Sequence, residues 1–290
     1  MEPADTPRPG IDTAALVALD VHVHAEGQAG ATDVDRAAQR YFGASEAPTA
    51  LEAIATYYRS RSMACVLFSV DERLSGRPVV PNEAVVAAAR ANPDVLIPFA
   101  SIDPTRGRAA VDEAARFIAE GAVRGFKLHP PLQQFMPNDR SVYPFYEAVE
   151  ASGLPVIFHT GHSGIGTGMR GGGGVRLKYG DPMLIDDVAV DFPDMPIVMA
   201  HPAFPWQDEA ISVCLHKRQV YIDLSGWSPK YFSPALVQYA NTLLREKVLF
   251  GSDYPLITPE RWLRDFEALP IRDEVRPLIL KENAVRLLRL

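Results

Sequence analysis

The chain has 290 residues and a formal charge of −7, and 47% of its residues are hydrophobic while 22% are charged. This composition predicts one soluble globular domain with a poorly ordered tail over residues 1–12, and the acidic balance argues against nucleic-acid and anionic-membrane binding. The two cysteines lie in apolar segments, and we find neither a signal-peptide pattern nor an 18-residue apolar run, so we expect a cytoplasmic protein without disulfides or membrane spans.

Strand and helix patterns alternate along the chain. Strands are predicted at 15–24, 65–71, 96–102, 124–129, 155–160, 196–201, 220–225 and 248–253. Helices are predicted at 49–63, 81–92, 107–120, 141–152, 182–191, 207–217, 233–245, 259–269 and 273–289. Eight parallel strands, each followed by a helix, predict a single (β/α)8 TIM-barrel domain whose chemistry lies at the carboxyl ends of its strands.

Six of the seven histidines lie at or just past the end of an apolar run. His22 and His24 alternate within one predicted strand, so both point to one face while the neighbouring valines pack away from it. His159 and Asp253 end two further strands, and all four side chains converge at the mouth of a closed barrel. Because neutral imidazoles and a carboxylate suit zinc or a similar divalent ion, we predict a metal site. Any one of them could instead be a hydrogen-bonded core residue.

The ordered motifs resemble those of the amidohydrolase superfamily, in particular the branch typified by aminocarboxymuconate-semialdehyde decarboxylase and resorcylate-type decarboxylases. The resemblance spans nearly the whole chain and rests on DVHVH at 20–24, GFKLHP at 125–130, PVIFHTG at 155–161, MAHP at 199–202 and LFGSDYP at 249–255. It implies one metal held by His22, His24, His159 and Asp253, with zinc expected and manganese as the alternative. His201 would then activate a water or donate a proton. A homodimer or larger assembly is also implied.

Lys127 and His129 share the fourth predicted strand at i and i+2, so both are expected to face the mouth. Lys127 could pair with Asp253 or a substrate anion and stabilise an oxyanion, or form a purely structural ion pair. In two-metal members of the superfamily a lysine on this strand is carboxylated and bridges the ions, which is a third role. His129 could orient Lys127, contact substrate or be a satisfied core histidine.

Two long connections, 25–48 and 161–181, are expected over the active-site mouth. The second carries nine glycines together with Arg170, Arg176 and Lys178, which predicts contacts to an anionic ligand or a moving lid. A solvated loop with incidental charges is the alternative. The order GxxxxGK[ST] is missing, so we reject ATP or GTP hydrolysis.

Three further side chains are candidate substrate contacts. His162 directly follows a predicted ligand strand, and Trp227 and Lys230 follow the seventh strand together with Tyr231. An aromatic acid could be held there by ring contacts and charge, and the alternative is ordinary packing.

Two reactions fit the predicted ligand set. In hydrolysis, the metal polarises a carbonyl and supplies hydroxide, His201 accepts the proton and Lys127 stabilises the oxyanion. In the alternative, non-oxidative decarboxylation of an aromatic or unsaturated acid, His201 or Asp253 protonates carbon. The alternative that is not an enzyme is a barrel that binds a ligand without catalysing a reaction.

The segment 159–193 is similar to aryl β-ketoacyl-CoA hydrolases of aromatic side-chain catabolism. This resemblance implies that water attacks the β-keto carbon and leaves an ester-stabilised carbanion to be protonated. The basic residues of the glycine-rich loop would meet the CoA phosphates. The expected partner is therefore a small, anionic and aromatic molecule.

Overall fold

Parallel strands form the centre of the computed structural model. It describes residues 10–26, 32–44, 49–77 and 79–290. Within these ranges the strands are β1 (Ala18–His24), β2 (Met63–Phe68), β3 (Leu96–Pro98), β4 (Ala100–Ser101), β5 (Phe126–Leu128), β6 (Val156–His159), β7 (Ile197–Ala200), β8 (Val220–Asp223) and β9 (Val248–Leu249). Strands β1 to β3 form one sheet and β4 to β9 a second, both in sequence order and with every paired neighbour parallel.

The two sheets join into a closed barrel. Phe99 alone separates β3 from β4, and its N–H donates to the carbonyl of Leu67 on β2, so the two segments are halves of one strand. At the other seam, the N–H of Asp253 donates to the carbonyl of His22 on β1. The eight strands thus form the predicted (β/α)8 TIM barrel.

Helices follow the strands, and all except α1 and α5, which contribute to the cavity at the mouth, cover the outside of the barrel. They are α1 (Asp33–Phe42), α2 (Leu51–Arg59), α3 (Asn82–Ala91), α4 (Arg108–Ala119), α5 (Pro130–Gln133), α6 (Tyr143–Glu150), α7 (Met183–Asp191), α8 (Gln207–His216), α9 (Pro234–Ala240), α10 (Pro259–Glu267) and α11 (Asn283–Leu288). A π-helical segment, Leu278–Glu282, leads into α11. Each predicted helix is matched, and among the described residues no helix is both long and apolar enough to cross a bilayer.

Helix α1 lies inside the connection 25–48, where apolar periodicity did not indicate a helix. Its start is a capping box, because the Thr32 hydroxyl accepts from the Asp35 N–H while the Asp35 carboxylate accepts from the Thr32 N–H. Residues 27–31 and 45–48 of this connection, like residues 1–9 of the predicted tail, lie outside the described residues.

Side chains pointing into the barrel form a core separate from the layer under the helices. This inner cluster contains Leu19, Val21, Ala64, Val66, Phe68, Ile97, Phe99, Ile157, Val198, Ala200 and Leu249, and Ala284 and Leu288 of α11 belong to it by contact. The prediction that Val21 packs away from His22 is wrong, because the β1–β2 register shifts between Asp20 and Val23 and the resulting bulge turns Val21 inward as well. Val23 lies in the outer core, as predicted.

Candidate metal centre

Polar side chains meet at the carboxyl ends of the strands, deep inside the mouth of the barrel. They are His22 and His24 of β1, Lys127 of β5 and the following His129, His159 of β6, His201 after β7, Asp223 of β8 and Asp253 after β9. All but His24 are buried, and the His24 side chain is 20% exposed. Because parallel strands of a barrel end on one face, residues separated by more than 200 positions lie in contact.

Three of the predicted ligands form a compact group. The Oδ1 atom of Asp253 lies 3.4 Å from His22 Nε2 and 3.1 Å from His24 Nε2. The potential ligand atoms of this group lie within 4.8 Å of one another, close enough to share one divalent ion. A second group with the same spacing contains His22, His201 and Asp223.

The charge states of His22 and Asp253 suit a metal. Burial, assisted by the positive charge of Lys127, lowers the pKa of His22 to about 3, so its imidazole is neutral. Burial raises the pKa of Asp253, but the hydrogen bond from His24 and the neighbouring histidines more than offset this, and the net pKa lies below its usual range. Neutral nitrogens and an ionised carboxylate are the forms that coordinate divalent ions.

The predicted ligand His159 lies beside His201. The Nδ1 atom of His201 is 3.0 Å from the carbonyl oxygen of Ser225, which can only accept, so Nδ1 carries the hydrogen and Nε2 the lone pair. His201 Nε2 lies 2.9 Å from His159 Nδ1, which must therefore donate. Burial lowers the pKa of both rings, consistent with neutral imidazoles.

This assignment leaves a lone pair on His159 Nε2. That atom is buried and has no hydrogen-bond partner in the described part of the chain. A buried polar atom without a partner is costly, and a bound cation would satisfy it. The donor set therefore fits the divalent metal that the motifs imply.

Lys127 and His129 both face the cluster, as expected. The Lys127 Nζ atom lies 3.2 Å from His22 Nε2, and burial lowers the Lys127 pKa to about 8. The ring of His129 stacks on that of His159, with centroids 3.9 Å apart and an interplanar angle of 13°. His129 therefore packs against the predicted ligand His159, and Lys127 places a titratable amine beside the predicted ligand His22.

Asp223 was not singled out from the sequence, although it ends a strand in the same way as the predicted ligands. Its Oδ2 atom lies 3.0 Å from His22 Nδ1, and its Oδ1 atom accepts from the N–H of Ser225 at 2.9 Å. Burial raises the pKa of Asp223, but the interactions with His22, His201 and Ser225 lower it more, so the net pKa lies below its usual range and the carboxyl is ionised. A carboxylate on the far nitrogen of a ligand histidine fixes the ring and its tautomer.

The backbone is strained at two of the proposed site residues. His201 has φ 76° and Asp253 has φ 72°, a region that side chains other than glycine adopt rarely and at a cost of about 1–3 kcal/mol. Such strain often accompanies functional sites, because the surrounding structure must hold the residue in place.

Gly226 lies directly against the ring of His201, and this close contact gives a testable prediction. A Cβ atom at this position would lie 2.5 Å from His201 Nδ1, and φ is +73°. We expect Gly226→Ala to lower the free energy of unfolding by about 1–3 kcal/mol from backbone strain and to displace the ring. Urea unfolding and kcat measure the two effects.

Gly153→Ala is the matched control for Gly226→Ala. Gly153 has φ +67°, but its added Cβ would meet only the Arg289 side chain at 3.7 Å. The Gly153→Ala protein should have a lower free energy of unfolding but an unchanged kcat. Full activity in Gly226→Ala would contradict the packing role of Gly226.

A cavity of about 260 Å³ opens onto the cluster. Its lining includes His24, His129, His159, His201 and Asp253. Its apolar lining includes Phe42, Leu132, Ile165 and Leu256. Arg77, which the sequence analysis did not single out, is the one arginine or lysine among the described lining residues. Its guanidinium lies 2.5 Å from Asp35 and 3.6 Å from Glu26, so helix α1 and the loop after β2 are tied together at the cavity.

The other predicted substrate contacts are placed elsewhere. His162 is half-buried between the rings of Tyr41 and Phe204, and Trp227 packs on Phe204 with centroids 5.3 Å apart. Four predicted cationic contacts are exposed: Arg170, Arg176, Lys178 and Lys230. None of these six is among the described residues that line the cavity.

Known proteins share this architecture. An uncharacterized TIM-barrel protein of Bordetella bronchiseptica is 27% identical, with a TM-score of 0.76 over 94% of this chain and 98% of that one. A probable 2-pyrone-4,6-dicarboxylic acid hydrolase of Acinetobacter baumannii is 18% identical, with a TM-score of 0.62 over 94% and 99%. A manganese-bound 5-carboxyvanillate decarboxylase of Novosphingobium aromaticivorans is 13% identical, with a TM-score of 0.65 over 96% and 98%.

Family membership follows from the sequence. None of the curated proteins matches the chain. The model of the family described as Amidohydrolase, however, matches residues 19–290, which includes every helix and strand described above except the first residue of β1. This chain therefore belongs to the amidohydrolase family, in its amidohydrolase-2 branch.

Proposed function

We propose that the protein is a metal-dependent hydrolase that cleaves a carbon–carbon bond in an anionic aromatic substrate, with an aryl β-ketoacyl-CoA thioester as the favoured case. The observation that carries the proposal is the compact group of His22, His24 and Asp253 beside the unpartnered Nε2 of His159. A divalent ion held by these four side chains, zinc or manganese, supplies Lewis acidity and lowers the pKa of water.

His201 is the proposed base. Because its Nδ1–H donates to the Ser225 carbonyl, the basic lone pair is on Nε2, which takes a proton from water when it gives up the hydrogen bond from His159 Nδ1. His201 also lines the cavity, so a substrate can reach it. The same nitrogen can return the proton to carbon when the leaving group departs.

The atoms of the proposed reaction balance with water as the only co-substrate. Water adds to the β-keto carbon, the bond to the α-carbon breaks, and its electron pair moves onto the α-carbon next to the thioester. Protonation there gives acetyl-CoA, and the other product is the aryl carboxylate. The Lys127 ammonium is suited to stabilise negative charge on the former ketone oxygen, because it is buried where electrostatic interactions are strong.

The side chains that line the cavity suit a substrate that has an aromatic acyl group and an anionic group close to it. Phe42, Leu132 and Ile165 offer apolar contacts. The Arg77 guanidinium is paired with Asp35 and Glu26 but has five N–H donors, so it keeps N–H groups for a substrate anion. A cavity of about 260 Å³ takes a ring and its substituents, so the CoA carrier would extend outside it. The exposed Arg170, Arg176 and Lys178 on the loop after β6 are the proposed partners of the CoA phosphates.

Arg77 gives a prediction about substrate binding. We expect Arg77→Met to raise KM at least about 10-fold while kcat changes little, because an anionic group loses a charge-assisted hydrogen bond of about 1.5–3 kcal/mol. Steady-state kinetics of the purified variant measure both constants.

Arg176→Met is the matched comparison for Arg77→Met. A thioester substrate should respond to both changes, whereas a small acid held inside the cavity should respond to Arg77→Met alone. An unchanged KM in Arg77→Met would contradict the anion-binding role of Arg77.

Decarboxylation of a small aromatic acid is the second candidate function. The cavity of about 260 Å³ has room for one substituted ring, and this reaction requires no carrier outside it. His201 or Asp253, both of which reach the cavity, would protonate the carbon that loses carbon dioxide.

Product analysis in isotopic water separates the two functions. The zinc- or manganese-loaded protein is incubated with aryl β-ketoacyl-CoA thioesters and with hydroxybenzoates. Hydrolysis places one oxygen-18 from labelled water in the aryl carboxylate and releases acetyl-CoA. Decarboxylation releases carbon dioxide and, in deuterium oxide, places one deuterium on the ring. Turnover of neither class by protein that holds one equivalent of metal would contradict both candidates.

A further inference from the structure

The carboxylate of Asp223 contacts both halves of the proposed machinery. We propose that Asp223, together with Ser225, is a positioning element that sets the tautomers of the ligand His22 and the base His201 at the same time. The inference rests on the proposed function, because it assigns His22 to the metal and His201 to proton transfer.

The first branch runs to His22. Asp223 Oδ2 lies 3.0 Å from His22 Nδ1, and both side chains are completely buried. An ionised carboxylate can only accept, so Nδ1 must carry the hydrogen. The lone pair is thereby left on Nε2, which lies 3.4 Å from Asp253 on the ligand side of the ring. In the other tautomer His22 would present a hydrogen to the metal.

The second branch runs to His201 through Ser225. The Ser225 hydroxyl donates its only hydrogen to Asp223 Oδ1, so towards His201 Nδ1, 3.0 Å away, it can only accept. The Ser225 carbonyl accepts from the same Nδ1 atom at 3.0 Å. The backbone N–H of His201 also points to Asp223 Oδ1, at 3.3 Å. One carboxylate therefore orders the side chain and the backbone around His201.

The chain just after β9 packs tightly against Ser225 and His22, so the contacts of Asp223 have no space to relax. A Cβ atom on Gly251, just after β9, would lie 2.9 Å from the Ser225 Cβ and 3.0 Å from the His22 Cβ. Strands β1, β8 and β9 thus enclose the Asp223 carboxylate on their inner faces. Close packing of this kind holds the two rings in one orientation before any ligand binds.

The contacts to His22 and to His201 predict different effects of substitution on zinc affinity and on kcat. Asp223→Asn keeps the shape of the side chain but offers an N–H group to His22 Nδ1, which favours the wrong tautomer. We expect zinc affinity to fall about 10–100-fold, the usual effect of removing a partner of a ligand histidine. Ser225→Ala removes the hydroxyl between Asp223 and His201 but leaves the contact of Asp223 Oδ2 with His22, so zinc affinity should stay within about 3-fold of the wild-type value while kcat falls.

Histidine tautomers can be read directly in the metal-free protein. Long-range proton–nitrogen NMR of protein labelled with ¹⁵N-histidine identifies the protonated nitrogen of His22 and His201. Zinc affinity is measured in parallel by chelator competition. The wild-type protein should show hydrogen on Nδ1 of both rings, and Asp223→Asn should move it on His22. Asp265→Asn is the control, because this carboxylate accepts from Ser228 at 2.6 Å and touches no histidine of the cluster.

The outcomes separate this inference from the proposed function. Hydrogen on Nε2 of His22 in the wild-type protein would overturn the positioning role without any variant, so a misfolded Asp223→Asn does not prevent the test. Unchanged tautomer and affinity in Asp223→Asn, or equal loss of zinc affinity in Ser225→Ala, would also overturn it. Wild-type protein that shows the expected tautomers but binds no zinc or manganese would instead contradict the metal site.

Discussion

His22→Ala is expected to remove the metal and the activity together. His22 is completely buried and neutral, and its Nε2 atom belongs to the compact group with His24 and Asp253. Loss of one donor leaves the site without enough ligands, so we expect metal per chain to fall from about one to below about 0.1. A loss of at least about 1000-fold in kcat/KM, or about 4 kcal/mol, should accompany it.

Elemental analysis of protein purified without added metal or chelator measures this prediction. His216→Ala is the matched control, because His216 is exposed at the end of α8 and should change neither quantity. Unchanged metal content and activity in His22→Ala would refute the proposed centre. About two metals per wild-type chain would point to Lys127 as a carboxylated bridge.

His201→Asn should keep the metal and lose turnover. The His201 backbone has φ 76°, and asparagine tolerates this left-handed region better than most residues, so the substitution spares the backbone. Loss of the nitrogen that accepts a proton should lower kcat by about 100- to 10,000-fold. Single-turnover kinetics of the metal-loaded variant measure the chemical step apart from binding.

The metal content of His201→Asn decides between the two possible donor groups. His201 also belongs to the second group, with His22 and Asp223. Retention of about one metal per chain would place His201 outside the coordination sphere. Loss of metal together with activity would show that His201 is a ligand and would contradict its assignment as the base.

The histidine positions illustrate what local patterns could predict. His22, His24 and His159 each lie in or at the end of an apolar strand, and Asp253 follows one. Alternation within a strand and convergence of strand ends then place them together without any knowledge of distances. The bulge in β1 was not predictable in this way, because it depends on the register with β2.

Charged loop residues illustrate the opposite case. Arg170, Arg176 and Lys178 stand out in the sequence, yet they are exposed, whereas the unremarkable Arg77 lines the cavity. A long loop has no periodicity that assigns its side chains to one face, so sequence patterns cannot show which cation reaches the substrate.

The sequence by itself determined the barrel, the order of its strands and the polar residues at their carboxyl ends, because hydrophobic periodicity and strand alternation are local properties of the chain. Only the tertiary structure decided which atoms meet. Asp223 and His22 are 201 residues apart and become partners through the closure of the barrel. The tautomers of His22, His159 and His201 follow from such long-range contacts, because a ring nitrogen is defined as donor or acceptor by the atom that faces it.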